Sequence, residues 1–108
     1  MPLLAMEERL KTAILLAGRF PLSALLPEED PINFFPRVRI PVLMINGRDD
    51  FVGSLEHSQL PLFRFLGSPP ADKRHALVDG GHVVPRNVMI KESLDWLDQY
   101  LGPVQGAP

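Results

Sequence analysis

The hydrophobic residues of this chain form three short apolar runs, each followed by a turn that contains glycine. The first run lies within Lys11 to Ala17, the second is Ile40 to Ile45, and the third is Arg74 to Val78. Short apolar runs bounded by turn residues are typical of strands in a parallel sheet that is covered on both faces. We therefore predict three strands, of which the first is buried on both faces.

Helical spacing follows the second and third runs. Apolar residues recur at helical intervals from Ser54 to Leu66, although Pro61 should bend this helix or limit it to its later turns. The segment from Arg86 to Leu101 predicts the longest helix, and the Gly102-Pro103 pair predicts its end. One helical turn is also expected from Asp30 to Phe34, with Asp30 as its cap.

The order strand, loop, strand, helix, strand, helix indicates an α/β fold. We expect three parallel strands with flanking helices, joined by right-handed crossovers. The 108 residues are enough for one modest core, so we expect a single domain over residues 1–103 and a disordered tail over residues 104–108.

Composition excludes several kinds of protein. The net charge of -2 gives no reason to expect a nucleic-acid partner, and no apolar stretch is long enough to suggest a membrane partner. The absence of cysteine excludes a disulfide framework, a thiolate nucleophile and a cysteine-bound zinc. We expect no cofactor, and we expect the protein in the cytoplasm.

Candidate chemistry lies directly after the second and third strands. The second strand runs into Asn46-Gly47-Arg48-Asp49-Asp50, and the third runs into Asp79-Gly80-Gly81-His82. Because active sites of open α/β sheets lie at the carboxyl ends of the strands, the two turns predict an acid/histidine pair. Asp49 and Asp50 both remain possible as the acid, and either one is equally consistent with simple capping of its turn. His57 and His75 lack such a context and are predicted to be surface residues.

A nucleophile is not evident, because the sequence contains no G-x-S-x-G motif. Ser54 is our first choice, since it follows the acid turn, although a serine in such a loop more often caps a helix. The full set of candidate hydroxyls is Thr12, Ser23, Ser54, Ser58, Ser68 and Ser93.

The strand and turn from Pro41 to Asp50, the Gly81-His82 turn and the terminal helix with Leu94-Asp95-Trp96-Leu97 resemble the carboxyl-terminal third of an α/β-hydrolase. The resemblance is to the dienelactone hydrolase and prolyl-oligopeptidase type and extends from Lys11 to Leu101. It implies that Asp50 is the acid, that His82 is the base and that a small carboxylic ester is the substrate. The segment that carries the nucleophile elbow in that family has no counterpart in this sequence.

This missing segment leads to an expectation about assembly. The strand at Ala13 to Leu16 would have an unpaired parallel edge, which folded proteins rarely leave bare. We expect a homodimer formed through this edge, with a continuous sheet of about six strands. An alternative to catalysis follows, in which the chain is a non-catalytic remnant or fragment that acts through self-association.

Overall fold

A computed structural model describes residues 2–19, 26–28 and 30–103. Its elements in chain order are a short helix α1 (Pro2–Met6), strand β1 (Ala13–Leu16), strand β2 (Val42–Gly47), helix α2 (Leu60–Phe65), strand β3 (Lys73–Val78) and helix α3 (Arg86–Leu101). A π-helical turn, Leu55–Gln59, leads directly into α2. The expected tail and Ser23 lie outside the described residues.

The strands form one parallel sheet in the order β1-β2-β3, which confirms the predicted fold class. β2 lies in the centre and all its residues are buried. Ala13 aligns with Val42 at one end of the β1–β2 pair, and Gly47 aligns with Val78 at the carboxyl end of β2 and β3. The turns that follow β2 and β3 therefore begin side by side.

Two apolar clusters cover the sheet. Val42 and Met44 belong to one cluster, whereas Leu43 and Ile45 belong to the other, as expected for alternating side chains of a strand covered on both faces. The first cluster also contains Phe35, Val38, Leu62 and Leu66. The second contains Ala76, Val84 and Trp96.

The prediction that the first strand is buried on both faces is wrong. Residues 13–15 are only partly buried and Leu16 is 47% exposed. β1 lies at the edge of the sheet, and β2 is its only partner among the described strands. Its apolar side chains are therefore less buried than those of β2.

Three proline and glycine positions explain where elements begin and end. β2 begins at Val42, two residues after the predicted start, because Pro41 has no N–H to donate. The carbonyl of Pro41 accepts a hydrogen bond from Ala13 N–H at the start of β1. The α-helical part of the predicted helix begins next to Pro61, after the π-helical turn. α3 spans the predicted residues and ends at Leu101, and the following Gly102 has a φ of 83°, which favours glycine.

Asp30 accepts a hydrogen bond from Ile32 N–H, which confirms the predicted capped turn as a short 3₁₀ helix, Pro31–Asn33. Among the described residues, no helix has the length and apolar character required to cross a membrane.

Candidate active site

Asp50 lies in the turn after β2, and its side chain is only 1% exposed. Its Oδ1 accepts hydrogen bonds from the backbone N–H groups of Val52 and Gly53, at 2.7 and 3.1 Å. These two bonds fix the carboxylate within its own turn. The other oxygen, Oδ2, is thereby directed towards the turn that follows β3.

His82 lies in that second turn, and its Nδ1 is 2.9 Å from Asp50 Oδ2. Since an ionised carboxylate only accepts, Nδ1–H is the donor and Nε2 carries no proton in the neutral ring. The His82 side chain is 44% exposed, and Nε2 makes no hydrogen bond within the described part of the chain. The ring therefore presents an unshared basic nitrogen at the carboxyl end of the sheet.

The electrostatics of Asp50 favour its charged form. Burial raises the pKa of Asp50, but the hydrogen bonds from His82, Gly53 and Val52 and the charge on His82 outweigh it. The net result is a pKa of Asp50 below its usual value. At neutral pH the carboxylate is therefore ionised and able to hold His82 in one orientation.

The two turns are held together by backbone contacts around Gly47. Asp49 N–H donates to Gly80 O at 3.0 Å, and Arg48 N–H donates to Val78 O at 2.9 Å. A Cβ at Gly47 would clash with the carbonyl oxygens of Gly80 and Gly81. The absence of a side chain at Gly47 is therefore a requirement for bringing the acid turn against the histidine turn.

The structure brings Asp50 and His82 together as the sequence predicts, whereas Asp49 is exposed. Ser54 adopts the capping role that serines in such loops commonly have, because its Oγ accepts from His57 N–H at 3.2 Å. No hydrogen bond connects Ser54 with His82 in the described structure. Its role as nucleophile stays a prediction.

Two of the other candidate hydroxyls lie at the wrong end of the sheet. Thr12 precedes β1, donates to Pro41 O at 2.9 Å and accepts from Trp96 Nε1 at 2.8 Å. Ser68 donates to Ile40 O, which precedes β2. Both hydroxyls therefore stabilise the amino ends of the strands, opposite His82.

The prediction that His75 is a surface residue is wrong. Its ring is partly buried, stacks on Phe63 with 5.6 Å between ring centroids, and donates from Nε2 to Asn46 Oδ1 at 3.0 Å. Asn46 is fully buried and donates to Gly18 O at 3.0 Å. Burial lowers the pKa of His75. His57 is exposed, as predicted.

Gln59 is a buried residue that contacts the acid turn, and the sequence patterns did not predict this role. Its Nε2 donates to Gly47 O at 2.9 Å and to Gly53 O at 2.8 Å, on either side of Asp50. The available signal was a long polar residue three positions before Leu62, which belongs to the apolar core.

Exposed apolar residues follow both Asp50 and His82 along the chain. Phe51 is 100% exposed, Val52 is 42% exposed, and Val83 is 85% exposed, and each directly follows or lies near Asp50 or His82 in the chain. No group of three or more histidine or carboxylate side chains is placed to bind a metal ion in the ranges that the structure describes.

Solved structures with the same fold include two esterases. An esterase from an Arctic intertidal metagenomic library is 34% identical, with a TM-score of 0.74, over 93% of this chain and 43% of that protein. The Pyrococcus furiosus esterase Pf2001 is 16% identical, with a TM-score of 0.66, over 93% of this chain and 48% of that protein. TT1662 from Thermus thermophilus is 20% identical, with a TM-score of 0.71, over 94% of this chain and 49% of that protein.

The chain thus spans less than half the length of each of these proteins. No match was found among curated protein sequences. The sequence profile of the family described as "Serine hydrolase (FSH1)" matches residues 2–94, which is most of the chain. With the parallel sheet and the fold of known esterases, this match shows that the chain belongs to the serine hydrolase (FSH1) family.

Proposed function

We propose that Asp50 and His82 are the acid and base of a serine hydrolase site that cleaves carboxylic esters. The observation that carries this proposal is the 2.9 Å hydrogen bond between Asp50 Oδ2 and His82 Nδ1. It leaves Nε2 unprotonated in the neutral ring of a half-exposed side chain, which is the state required of a general base. Family membership and the esterases among the similar structures support the choice of ester over other acyl substrates.

In this mechanism Asp50 orients His82 and stabilises the imidazolium that forms during the reaction. His82 Nε2 takes the proton from a serine hydroxyl as that oxygen attacks the ester carbonyl. The same nitrogen then returns the proton to the departing alcohol, and the serine carries the acyl group until water releases it.

Ser54 is our first candidate for the nucleophile within this chain. Its Oγ accepts a hydrogen bond from His57 N–H, and this role leaves the hydroxyl proton available for donation to a base. Ser54 also directly follows Gly53, whose N–H binds Asp50. A local rearrangement of the turn is required before Ser54 reaches Nε2, because these groups are not hydrogen-bonded in the structure.

The surroundings of the pair favour an apolar acyl group. Phe51 and Val83, next to the acid and the base, present exposed apolar side chains. Binding sites for small substrates are mostly apolar with a few polar groups that fix orientation. We expect butyrate esters to be cleaved with a higher kcat/KM than acetate esters.

The test is hydrolysis of p-nitrophenyl acetate and p-nitrophenyl butyrate by the purified chain, beside His82→Ala and Ser54→Ala prepared identically. We expect measurable hydrolysis in the unchanged protein and its loss in His82→Ala. His57→Ala, which changes an exposed histidine, is the matched control and should retain the rate. An equal rate in the unchanged protein and His82→Ala would contradict the proposal, and so would no hydrolysis at all.

The second candidate function, self-association without catalysis, is favoured by the exposed edge of β1. Among the described strands β1 pairs on one side only, and this edge with the half-exposed Leu16 suits a second copy of the chain, joined strand to strand across a two-fold axis. A homodimer is compatible with the catalytic proposal as well. A cytoplasmic location also stays part of the proposal and rests on composition alone, since a chain without cysteine forms no disulfides.

A further inference from the structure

Gln59 is a fully buried polar residue at the end of the π-helical turn before α2. Its Nε2 donates both of its protons, one to Gly47 O at 2.9 Å and one to Gly53 O at 2.8 Å. Gly47 ends β2, and Gly53 ends the turn that contains Asp50. One amide group therefore fixes both ends of the acid turn relative to each other.

The link from Gln59 to Asp50 passes through Gly53. The carbonyl of Gly53 accepts from Gln59, while the N–H of Gly53 donates to Asp50 Oδ1 at 3.1 Å. A shift of Gly53 would therefore move a donor that orients the carboxylate. Since Asp50 Oδ2 holds His82 Nδ1 at 2.9 Å, the orientation of the imidazole depends on the same connection.

Two further features distinguish the surroundings of Gln59. Its Oε1 is buried and has no hydrogen-bond partner in the described structure, so the amide as a whole is not fully satisfied. The backbone forms a π-helical turn there, with Gln59 N–H donating to Ser54 O at 2.9 Å. Single π-helical turns are uncommon and often occur at functional sites.

We propose that Gln59 is a positioning residue for the Asp50–His82 pair, acting through Gly53 to keep His82 in the tautomer with the proton on Nδ1. The effect of Gln59 on catalysis rests on the proposed function. The tautomer itself can be measured whether or not the isolated chain hydrolyses esters.

The experiment is ¹⁵N and ¹H NMR of the histidine rings at about pH 8, above the usual histidine pKa. The protein is compared with Gln59→Met, which keeps the length of the side chain but removes both donors. We expect the low-field Nδ1 proton of His82 to be lost in Gln59→Met, with ring ¹⁵N shifts of mixed tautomers. If the unchanged chain is active, kcat should fall by about tenfold with KM unchanged, as expected for a misplaced base.

Two control variants distinguish a positioning role of Gln59 from a general loss of protein stability. Val38→Ala removes buried volume from the apolar cluster and should keep the His82 signal at a comparable loss of stability. Gln99→Met makes the same chemical change at an exposed position of α3 and should have no effect. Asp50→Asn should abolish the low-field proton and so identifies it as that of His82.

Retention of the low-field proton in Gln59→Met would overturn the proposal, and so would its loss in Val38→Ala at equal stability. If Gln59→Met does not fold, Gln59→Glu is measured in its place. This variant keeps the side-chain shape, donates at most one hydrogen bond and is subject to the same two outcomes. If the unchanged chain does not hydrolyse esters but Gln59→Met still loses the low-field proton, the proposed function is contradicted. The positioning role of Gln59 is then still supported.

Discussion

Asp50 is a buried carboxylate that is satisfied by three hydrogen bonds, two from its own turn and one from His82. Carboxylates in such an environment are charged in the folded protein because each donor favours the ionised form. The charge thus depends on the fold, and the fold in turn is stabilised by the charge.

The first prediction concerns the pH dependence of that stabilisation. The folded-state pKa of Asp50 is lowered, so its contribution is fully present above the unfolded-state pKa of about 3.9 and is lost as the pH falls below it. Asp50→Asn should lower the free energy of unfolding by about 1–3 kcal/mol at neutral pH. The difference from the unchanged protein should become smaller near pH 3.

Urea unfolding at the two pH values measures this difference. Asp49→Asn is the matched control at the neighbouring, exposed carboxylate, and it should change stability by no more than about 0.5 kcal/mol. Equal losses in the two variants, or a difference for Asp50→Asn that does not narrow in acid, would contradict the account of Asp50.

The second prediction concerns His75. Burial lowers its folded-state pKa, so the unfolded chain, with a pKa of about 6.5, binds the proton more readily. Stability should therefore decline as the pH falls below about 6.5. His75→Gln keeps a donor for Asn46 and should show a weaker decline, whereas His57→Gln, at an exposed position, should retain it. Unfolding curves with the same pH dependence in all three proteins would show that His75 does not contribute.

At the level of secondary structure, the site consists of two turns that follow the carboxyl ends of the neighbouring strands β2 and β3. The pairing of Gly47 with Val78 aligns the ends of β2 and β3. Lys73 further connects the elements, since its Nζ donates to Phe63 O at 2.8 Å and to Leu66 O at 3.1 Å at the end of α2. Cations at the carboxyl end of a helix are favourable, so the start of β3 stabilises the end of the preceding helix.

The third prediction concerns the contact between the two turns. Gly47→Ala would place a methyl group against the carbonyls of Gly80 and Gly81, which must move away. We expect a loss of about 1–3 kcal/mol in the free energy of unfolding and loss of the low-field His82 proton. Gly81→Ala is the control, because a Cβ there meets nothing within 4 Å. Equal effects of the two substitutions on the NMR signal would contradict this contact as the cause.

Local sequence patterns predicted most of these elements. α3 matches the predicted segment from Arg86 to Leu101, because its apolar spacing and its Gly102-Pro103 stop are local signals. The helix expected over residues 54–66 is instead a π-helical turn followed by α2. Periodicity did not anticipate the wider turn, since it depends on how the backbone before Pro61 meets the acid turn.

At the scale of the whole molecule, the sheet is narrow and open. β1 and β3 are its two outer strands, and the first of these has a half-exposed apolar residue at its end. The similar esterases are more than twice as long as the part that this chain matches. The homodimer proposed above would cover the β1 edge with a second copy of the chain.

The fourth prediction concerns this edge. Size-exclusion chromatography with light scattering at micromolar concentration should show a dimer of the unchanged chain. Leu16→Lys should give a monomer, because a lysine on an edge strand opposes strand pairing. Leu94→Lys introduces the same charge at an exposed position of α3 and should leave the dimer intact. A monomeric unchanged chain would contradict the assembly that we propose.

Local patterns predicted the order of the three strands, the two helices that follow β2 and β3, the parallel fold class and the two turns that carry Asp50 and His82. They did not predict helix α1. The predicted features depend on period, turn residues and apolar runs, all of which are local and can be read along the chain. The acid's identity needed more than spacing, since Asp49 and Asp50 both suit the turn and only the resemblance to α/β-hydrolases favoured Asp50.

Tertiary contacts determine how Asp50 is held, why His75 is partly buried and which groups Gln59 binds. Asp50 and His82 are separated by 32 positions, His75 and Asn46 by 29, and Gln59 and Gly47 by 12. Each contact depends on the direction of a side chain across elements packed together, and packing is a property of the assembled sheet and helices. The sequence gives the order of these residues along the chain, but it does not give the distances between their side chains.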